Sequence, residues 1–224
     1  MSGIPEDYSV VSSKNDALLL RSKTDSLTYR IQFKIATLAD NKIIDPRRYI
    51  GFDMYNDFER INGDVIENIV MEDIPEEPNT RFMMMQFKPI GAGFGIKGKF
   101  MITKVNKICP SDKMCVGLIG TPATIDQTSF TPAPNYEEII CKNSQMFSFW
   151  DNITRSLVFQ YDFTLFDPTF QKHGMQVPRS VSDMSALLIK KIFIRMKEFK
   201  ETQIQIDNAN QLEVTDAHLH SVGM

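Results

Sequence analysis

The sequence predicts an α+β fold, mainly antiparallel β-sheet, with one or two packed helices and a long loop rich in proline and threonine. Segments of strand pattern follow one another without the strand–helix alternation that parallel sheets require. One segment near residue 50 has clear helix boundaries, and residues 120–138 hold three prolines. The length of 224 residues, with 42% apolar and 24% charged residues, fits one globular domain.

The first half of the chain holds one strand and one helix with distinct patterns. Residues 1–15 are polar and are predicted to form a flexible arm. Residues 29–35 alternate apolar and polar side chains, which predicts a strand with one buried face. Asp45 can cap a helix and Pro46 suits its first position, while apolar residues recur at helical spacing as far as Ile61.

The second half has mostly strand patterns. A second short helix is predicted over residues 64–71, and a helix capped by Ser182 or Asp183 is predicted to run to about residue 191. Residues 192–196 and 204–206 have strand-like alternation, and helix and strand both stay open over residues 186–200. The folded domain is predicted to cover residues 16–210, followed by a flexible tail over 211–224. The further predicted strands are 82–87, 96–108, 114–119, 147–150 and 157–166.

Composition excludes several classes of protein. A net charge of −3 and a pI near 5.7 give no overall basicity for nucleic acid. Three cysteines exclude a disulfide framework. The chain has no secretory signal pattern and no apolar run of spanning length, which predicts a protein of the cell interior without a transmembrane segment.

No catalytic or metal-binding pattern persists when its context is considered. Residues 93–98 match GxGxxG, but a strand pattern follows where a dinucleotide site needs a helix, so a glycine-rich hairpin is predicted. His173 has no nucleophile near it in the sequence, and His218 and His220 lie in the predicted tail. We therefore predict a protein that is not an enzyme, with no catalytic residue, metal or cofactor.

Two basic segments stand out in an acidic chain. They predict a contact face for anionic partners, either the phosphates of a nucleic acid or an anionic membrane surface. Residues 57–77 are strongly acidic and could meet the basic face of another copy. The predicted contact residues are Lys97, Lys99, Lys104, Lys107, Lys190, Lys191, Arg195 and Lys197.

A short peptide in the long loop has the composition of a recognition motif. It comprises Pro134, Tyr136, Glu137 and Glu138. Its Tyr-Glu-Glu-Ile order is similar to phosphotyrosine ligands of SH2 domains, and its proline and tyrosine resemble late-domain peptides that recruit WW domains. It is therefore a predicted peptide motif.

The outline of the chain resembles rhabdovirus matrix proteins of the plant-infecting type. The resemblance rests on residues 27–35 (LTYRIQFKI), the helix from Pro46, the PNYEE peptide at 134–138, and the many Phe and Met residues. It implies a non-enzymatic viral structural protein of the virion and host cell, in the cytoplasm or the nucleus. Such a protein would self-associate as a homo-oligomer, condense the viral nucleocapsid and link it to the envelope membrane.

A second resemblance stays open. Plant-virus movement proteins of the thirty-kilodalton superfamily are also β-rich, lack catalytic groups and bind single-stranded nucleic acid. A viral coat protein and a cellular interaction domain are further alternatives that the sequence leaves open.

Overall fold

The computed structural model describes residues 4–36, 43–89, 97–111, 113–166, 168 and 177–221, without side chains at 208 and 210–221. One ten-stranded sheet and two helices make up this part of the chain. The helices are α1 (Met54–Ile61) and α2 (Arg179–Ser221). The strands are β1 (Tyr8–Ser12), β2 (Ala17–Ser22), β3 (Thr28–Ala36), β4 (Ile66–Asp73), β5 (Thr80–Phe87), β6 (Lys99–Ile108), β7 (Cys115–Pro122), β8 (Glu137–Glu138), β9 (Ile140–Asp151) and β10 (Ser156–Phe166).

The sheet has the order β1-β2-β3-β10-β9-β7-β6-β5-β4, and neighbours along this path are antiparallel. The short strand β8 lies off this path and pairs with β6 in parallel. The pairing of β3 with β10 joins an N-terminal group of three strands to the rest of the sheet. The predicted α+β fold class is confirmed.

The inner face of the sheet carries the main core, because both helices pack on it. Helix α2 contacts β2 and β3, and α1 contacts β4 and α2. Apolar side chains alternate towards this face along β3 and β10, as the period of a strand requires. Tyr29 stacks on Phe163, and Phe33 stacks on Phe159, across the β3–β10 pair.

The outer face of the sheet has a smaller core under the proline-rich loop. Phe130 from the loop is buried against Met84, Phe100 and Ile102. The backbone N–H and hydroxyl of Ser129 both donate to the Glu72 carboxylate, at 2.9 and 2.8 Å. The loop that the sequence predicts is present, and this part of it is packed on the sheet.

Two local predictions in the first half need correction. Residues 64–71 were expected to be helical, but Ile66–Asp73 form the edge strand β4, because the buried Asn62 ends α1 and β4 pairs with β5. The helix expected from Pro46 is interrupted. Asp45 does cap a 3-10 turn at Pro46–Arg48, as expected, but the α-helix begins only at Met54, after Gly51.

The two ends of the chain also differ from expectation. Residues 8–12, inside the predicted arm, form β1 and pair with β2. The choice between helix and strand that the sequence left open over residues 186–200 is decided for helix, because α2 runs without a break from Arg179 to Ser221. It includes the strand-like residues 204–206 and residues predicted as tail. No helix among the described residues is long and apolar enough to cross a membrane.

Candidate functional site

The basic residues near β6 are largely held by carboxylates of the same sheet. Lys97 and Lys99 both pair with Glu137, at 3.1 and 2.9 Å. Lys104 pairs with Glu77 at 2.7 Å. These ion pairs lower the pKa values of Glu137 and Glu77, since each lysine favours the ionised carboxylate. The three lysines thus bridge neighbouring segments.

Lys190 is a buried residue that joins α2 to the N-terminal strands. Its side-chain ammonium donates to the Ser12 hydroxyl at 3.0 Å and to the Lys14 carbonyl at 2.9 Å. The residue is only 3% exposed, and its burial lowers the pKa of the ammonium. Lys190 therefore links α2 to the N-terminal strands and has little exposed surface.

The other basic residues of α2 also have partners. Lys191 and Arg195 both pair with Asp64, which lies between α1 and β4. The hydrogen bond from Arg195 lowers the pKa of Asp64 to about 2. Lys197 pairs with Glu201 one turn further along the helix, at 2.8 Å. The predicted contact residues are thus divided between β6 and α2, and their contact with nucleocapsid or membrane stays a prediction.

The predicted peptide motif is folded onto the sheet. The Tyr136 hydroxyl donates to the Glu67 carboxylate, which raises the pKa of the tyrosine to about 12. The Tyr136 ring lies so close to Gly98 that a Cβ there would be 2.4 Å from it. Glu137 and Glu138 form β8, and Pro134 is exposed beside them. Recognition of this peptide motif by SH2 or WW domains stays a prediction.

Other sequence motifs lie outside the described residues. This holds for residues 90–96 of the glycine-rich segment, for His173, and for the side chains of the Asp216–His220 cluster. Among the residues that the structure describes, no group of three or more His, Cys, Asp or Glu could hold a metal ion. The thiol of Cys141 is buried, and its burial raises its pKa to about 11.

A cavity of about 600 Å³ lies between the segment before α1, the inner face of the sheet and the second half of α2. We call it the α1–α2 pocket. Sequence elements that are far apart in the chain meet there. Its lining residues are Arg47, Arg48, Tyr49, Ile50, Gly51, Phe52, Asp53, Met54, Asp57, Arg81, Lys107, Lys200, Gln203, Ile206 and Asp207.

The pocket is open because the chain before α1 is not a continuous helix. Asp45 and Pro46 fix a single 3-10 turn, and the chain then bends at Gly51. A Cβ atom at Gly51 would lie 3.3 Å from the Lys107 ammonium nitrogen. The missing side chain at Gly51 therefore leaves the space into which Lys107 extends.

Apolar side chains form part of the pocket wall. Ile50 and Met54 are buried and belong to the main core, whereas Ile206 of α2 is more than half exposed. The Phe52 ring lies under the Arg81 guanidinium, 4.6 Å from ring centroid to carbon. A ligand with an apolar part would find surface here that water solvates poorly.

The inner wall of the pocket is mainly cationic. The Lys200 ammonium is buried and contacts the Asp57 carboxylate at 2.9 Å and the Gln203 side-chain oxygen at 2.8 Å. Arg81 pairs with Asp73 at 2.6 Å. Lys107 is the third cation of this wall, so three cations face one lining carboxylate.

The exposed rim of the pocket is balanced in charge. Arg47, Arg48, Asp53 and Asp207 are the exposed charged residues of the lining, and the Arg47 guanidinium pairs with Asp45 at 2.7 Å. The Tyr49 hydroxyl donates to the Asp207 carboxylate at 2.9 Å and so links the 3-10 turn to α2. Burial and this hydrogen bond raise the pKa of Tyr49 to about 12, so its hydroxyl stays protonated at neutral pH.

An aromatic core adjoins the pocket under α2. The hydroxyl of Tyr161 lies 3.2 Å from that of Ser144. Desolvation by burial raises the pKa of Tyr161 far above its usual value, yet its side chain keeps some accessible surface. The rings in successive contact are Tyr55, Phe58, Phe193, Tyr161, Phe163 and Tyr29.

Sequence reasoning identified only one lining residue of the pocket, Lys107, as a candidate contact residue, and assigned it to a different surface. The observation that could have indicated the pocket is Gly51, which interrupts an otherwise regular amphipathic pattern. A glycine at such a place indicates either a bend or a close approach of another group. In this protein the chain bends at Gly51, and the Lys107 ammonium lies close to it.

Comparison with known proteins identifies the fold. No protein-family model and no curated protein sequence matches this chain. Solved structures do match. Human STARD10 aligns with a TM-score of 0.65 over 97% of this chain and 82% of its own, at 10% identity.

Two further human structures are similar. The lipid transfer and protein localization domain of StarD13 aligns with a TM-score of 0.61 at 6% identity, over 85% of this chain and 87% of its own. StAR-related lipid transfer protein 5 aligns with a TM-score of 0.61 at 11% identity, over 90% and 89%. The chain therefore has a START/Bet v1-like α+β fold.

Proposed function

We propose that this protein binds a small amphipathic ligand in the α1–α2 pocket without transforming it. The observation that carries the proposal is the pocket itself, about 600 Å³ in volume, with buried apolar side chains beside charged ones. Ligand sites in proteins usually have volumes of about 300–1,000 Å³ and combine an apolar lining with a few polar groups. The pocket is within this range.

The fold gives independent support. The similar human structures include proteins whose names describe lipid transfer. At identities of 6% and 11%, these similarities support the fold but do not identify a ligand. The proposal that the chain binds a ligand therefore rests on the pocket. In this proposal the apolar part of the ligand contacts Phe52 and Ile206, which keep accessible surface, and its polar part contacts the charged wall.

A side chain placed at Gly51 tests the proposal. Gly51→Leu would fill the pocket at the cost of displacing only the flexible end of Lys107. The matched control is Gly63→Leu, because Gly63 is exposed, lies outside the pocket, and would gain only an ordinary contact at 3.8 Å.

Binding of decanoate, decyl phosphate and 1-decanol would be measured by isothermal titration calorimetry. We expect at least one of these amphiphiles to bind the wild-type protein and the Gly63→Leu variant equally. Its affinity for Gly51→Leu should fall by about tenfold or more, as expected when a pocket is overpacked. Equal binding to all three proteins, or binding to none, would refute the proposed function.

The resemblance to viral matrix proteins is a separate question. Neither the fold nor any similar structure bears on it, so self-association and nucleocapsid or membrane binding stay predictions. Light scattering after size-exclusion chromatography, at low and high salt and with anionic liposomes, would test them. Salt-reversible polymers that sediment with the liposomes would favour the matrix function.

A further inference from the structure

Lys107 differs from the other cations at the α1–α2 pocket and along β6. Lys99 and Lys104 of the same strand pair with Glu137 and Glu77. Within the described part of the chain, Lys107 makes no ion pair and its ammonium makes no hydrogen bond. Its ammonium nitrogen would lie 3.3 Å from a Cβ atom at Gly51.

The position of Lys107 on β6 directs it to the ligand side of the sheet. Met101 and Val105 belong to the main core on the inner face, and Lys107 follows them at the strand period of two. Lys104 is an odd number of residues away and belongs to the opposite, outer face. The two lysines therefore carry the same charge on the same strand but meet different surroundings.

The charges around Lys107 make this wall attractive to an anion. Arg81 and Lys200 stand with Lys107 on the inner wall, but Arg81 is bound to Asp73 and Lys200 to Asp57, so Lys107 is the cation of this wall without a carboxylate partner among the described residues. At the exposed rim, Arg47 is bound to Asp45, and Arg48, Asp53 and Asp207 are the other charged lining residues. The half-buried setting of Lys107 strengthens its interaction with a ligand charge, because the site is screened less than the open surface.

We propose that the pocket selects amphiphiles whose head group is an oxyanion, a carboxylate or a phosphate, and that Lys107 binds that head group. The inference rests on the proposed ligand-binding function and names the chemical class of its ligand. Lys107 supplies a charge-assisted hydrogen bond to the oxyanion, whereas Arg81 and Lys200 are already paired with Asp73 and Asp57. Phe52 and Ile206, which line the same pocket, contact the aliphatic part.

The test compares head groups at constant chain length. Decanoate and decyl phosphate carry the two oxyanions, and 1-decanol carries a neutral hydroxyl on the same ten-carbon chain. The variant is Lys107→Met, which keeps most of the side-chain length and removes the charge. The control is Lys104→Met, which removes the same charge from the outer face of the same strand.

We expect Lys107→Met to weaken binding of the anionic amphiphiles by about tenfold or more, the usual effect of losing a hydrogen bond to a charged group. Binding of 1-decanol should stay the same, and Lys104→Met should bind all three compounds as the wild type does. Raising the salt concentration should weaken the binding of the two anionic compounds and leave the binding of 1-decanol unchanged. If only decyl phosphate or only decanoate shows the Lys107 dependence, the proposal holds with that oxyanion as the head group.

The failure of this inference can be told apart from the failure of the proposed function. If Gly51→Leu abolishes binding while Lys107→Met binds the anionic compounds as the wild type does, the pocket is a ligand site but Lys107 does not select oxyanions. If 1-decanol binds as tightly as decanoate and loses as much affinity in Lys107→Met, selection by charge is equally refuted. If Gly51→Leu has no effect on any compound, the pocket itself is not the site. Urea unfolding of each variant shows that the comparison uses folded protein.

Discussion

The Asp57→Asn substitution is expected to destabilise the protein much more than Lys200→Met, although the two side chains form one ion pair. The Lys200 side chain is 5% exposed and its ammonium is 2.9 Å from the Asp57 carboxylate, so Asp57→Asn leaves a buried cation without a counter-charge. Breaking a buried pair in this way costs about 3 kcal/mol. Lys200→Met instead removes the buried charge, and Asp57 keeps Arg60 as a partner at 3.1 Å, so we expect a loss of about 1 kcal/mol or less.

Urea unfolding monitored by tryptophan fluorescence measures both effects. Trp150 is the sole tryptophan and is 9% exposed in the main core, so its emission reports loss of the folded structure. With a urea dependence of about 2 kcal/mol per molar, Asp57→Asn should lower the midpoint by about 1.5 M, and Lys200→Met by less than about 0.5 M. The double variant should match Lys200→Met, since neither buried charge is then left alone.

A control at an exposed pair calibrates the experiment. Glu77 pairs with Lys104, and both side chains are more than a third exposed, so Glu77→Gln should leave the midpoint unchanged. If Lys200→Met lost as much stability as Asp57→Asn, the ammonium would itself be a net source of stability. That result would refute the argument from desolvation.

Three further predictions concern single residues. The pKa of Asp64 is lowered from 3.8 to about 2, so its ion pair stabilises the fold above about pH 4, and this contribution is lost as the pH falls towards 2. The urea unfolding midpoints of the wild type and Asp64→Asn should therefore converge as the pH is lowered from about 4 to about 2. In the folded protein at about pH 8, iodoacetamide should modify the exposed Cys109 but not the buried Cys141, as mass spectrometry would show; modification of both would contradict the burial argument. Gly98→Ala should lower the urea midpoint, because its Cβ would overlap the Tyr136 ring at 2.4 Å, and adding Tyr136→Ala should restore part of the loss.

The sequence predicted those helices and strands in which the apolar residues recur with the period of the element and are the ones buried. Residues 29–35 alternate, and β3 occupies Thr28–Ala36 with its apolar side chains in the core. Helix and strand could not be separated over residues 186–200 because the buried stripe of α2 includes two lysines, Lys190 and Lys200. Their burial depends on partners elsewhere in the chain, so an apolar periodicity cannot show it.

The α1–α2 pocket could not be predicted for a different reason. Its walls come from the segment before α1, from α1 itself, from one residue each of β5 and β6, and from the second half of α2. Their meeting depends on strand order and register, which local sequence leaves open. Lys104 and Lys107 look equivalent in the sequence, and only the pleat of β6 distinguishes an outer residue paired with Glu77 from one that faces the pocket.

The pairing of β3 with β10 also governs when the chain can complete its fold. The hydroxyls of Thr28 and Thr164 are 2.6 Å apart across this pair, yet 136 positions separate the two residues in the chain. At synthesis rates of about 5–20 residues per second, β3 waits on the order of ten seconds for its partner. An unpaired strand edge is a site for aggregation, and distant pairings form slowly. The nascent protein thus depends on protection of β3 until β10, and then α2, have left the ribosome.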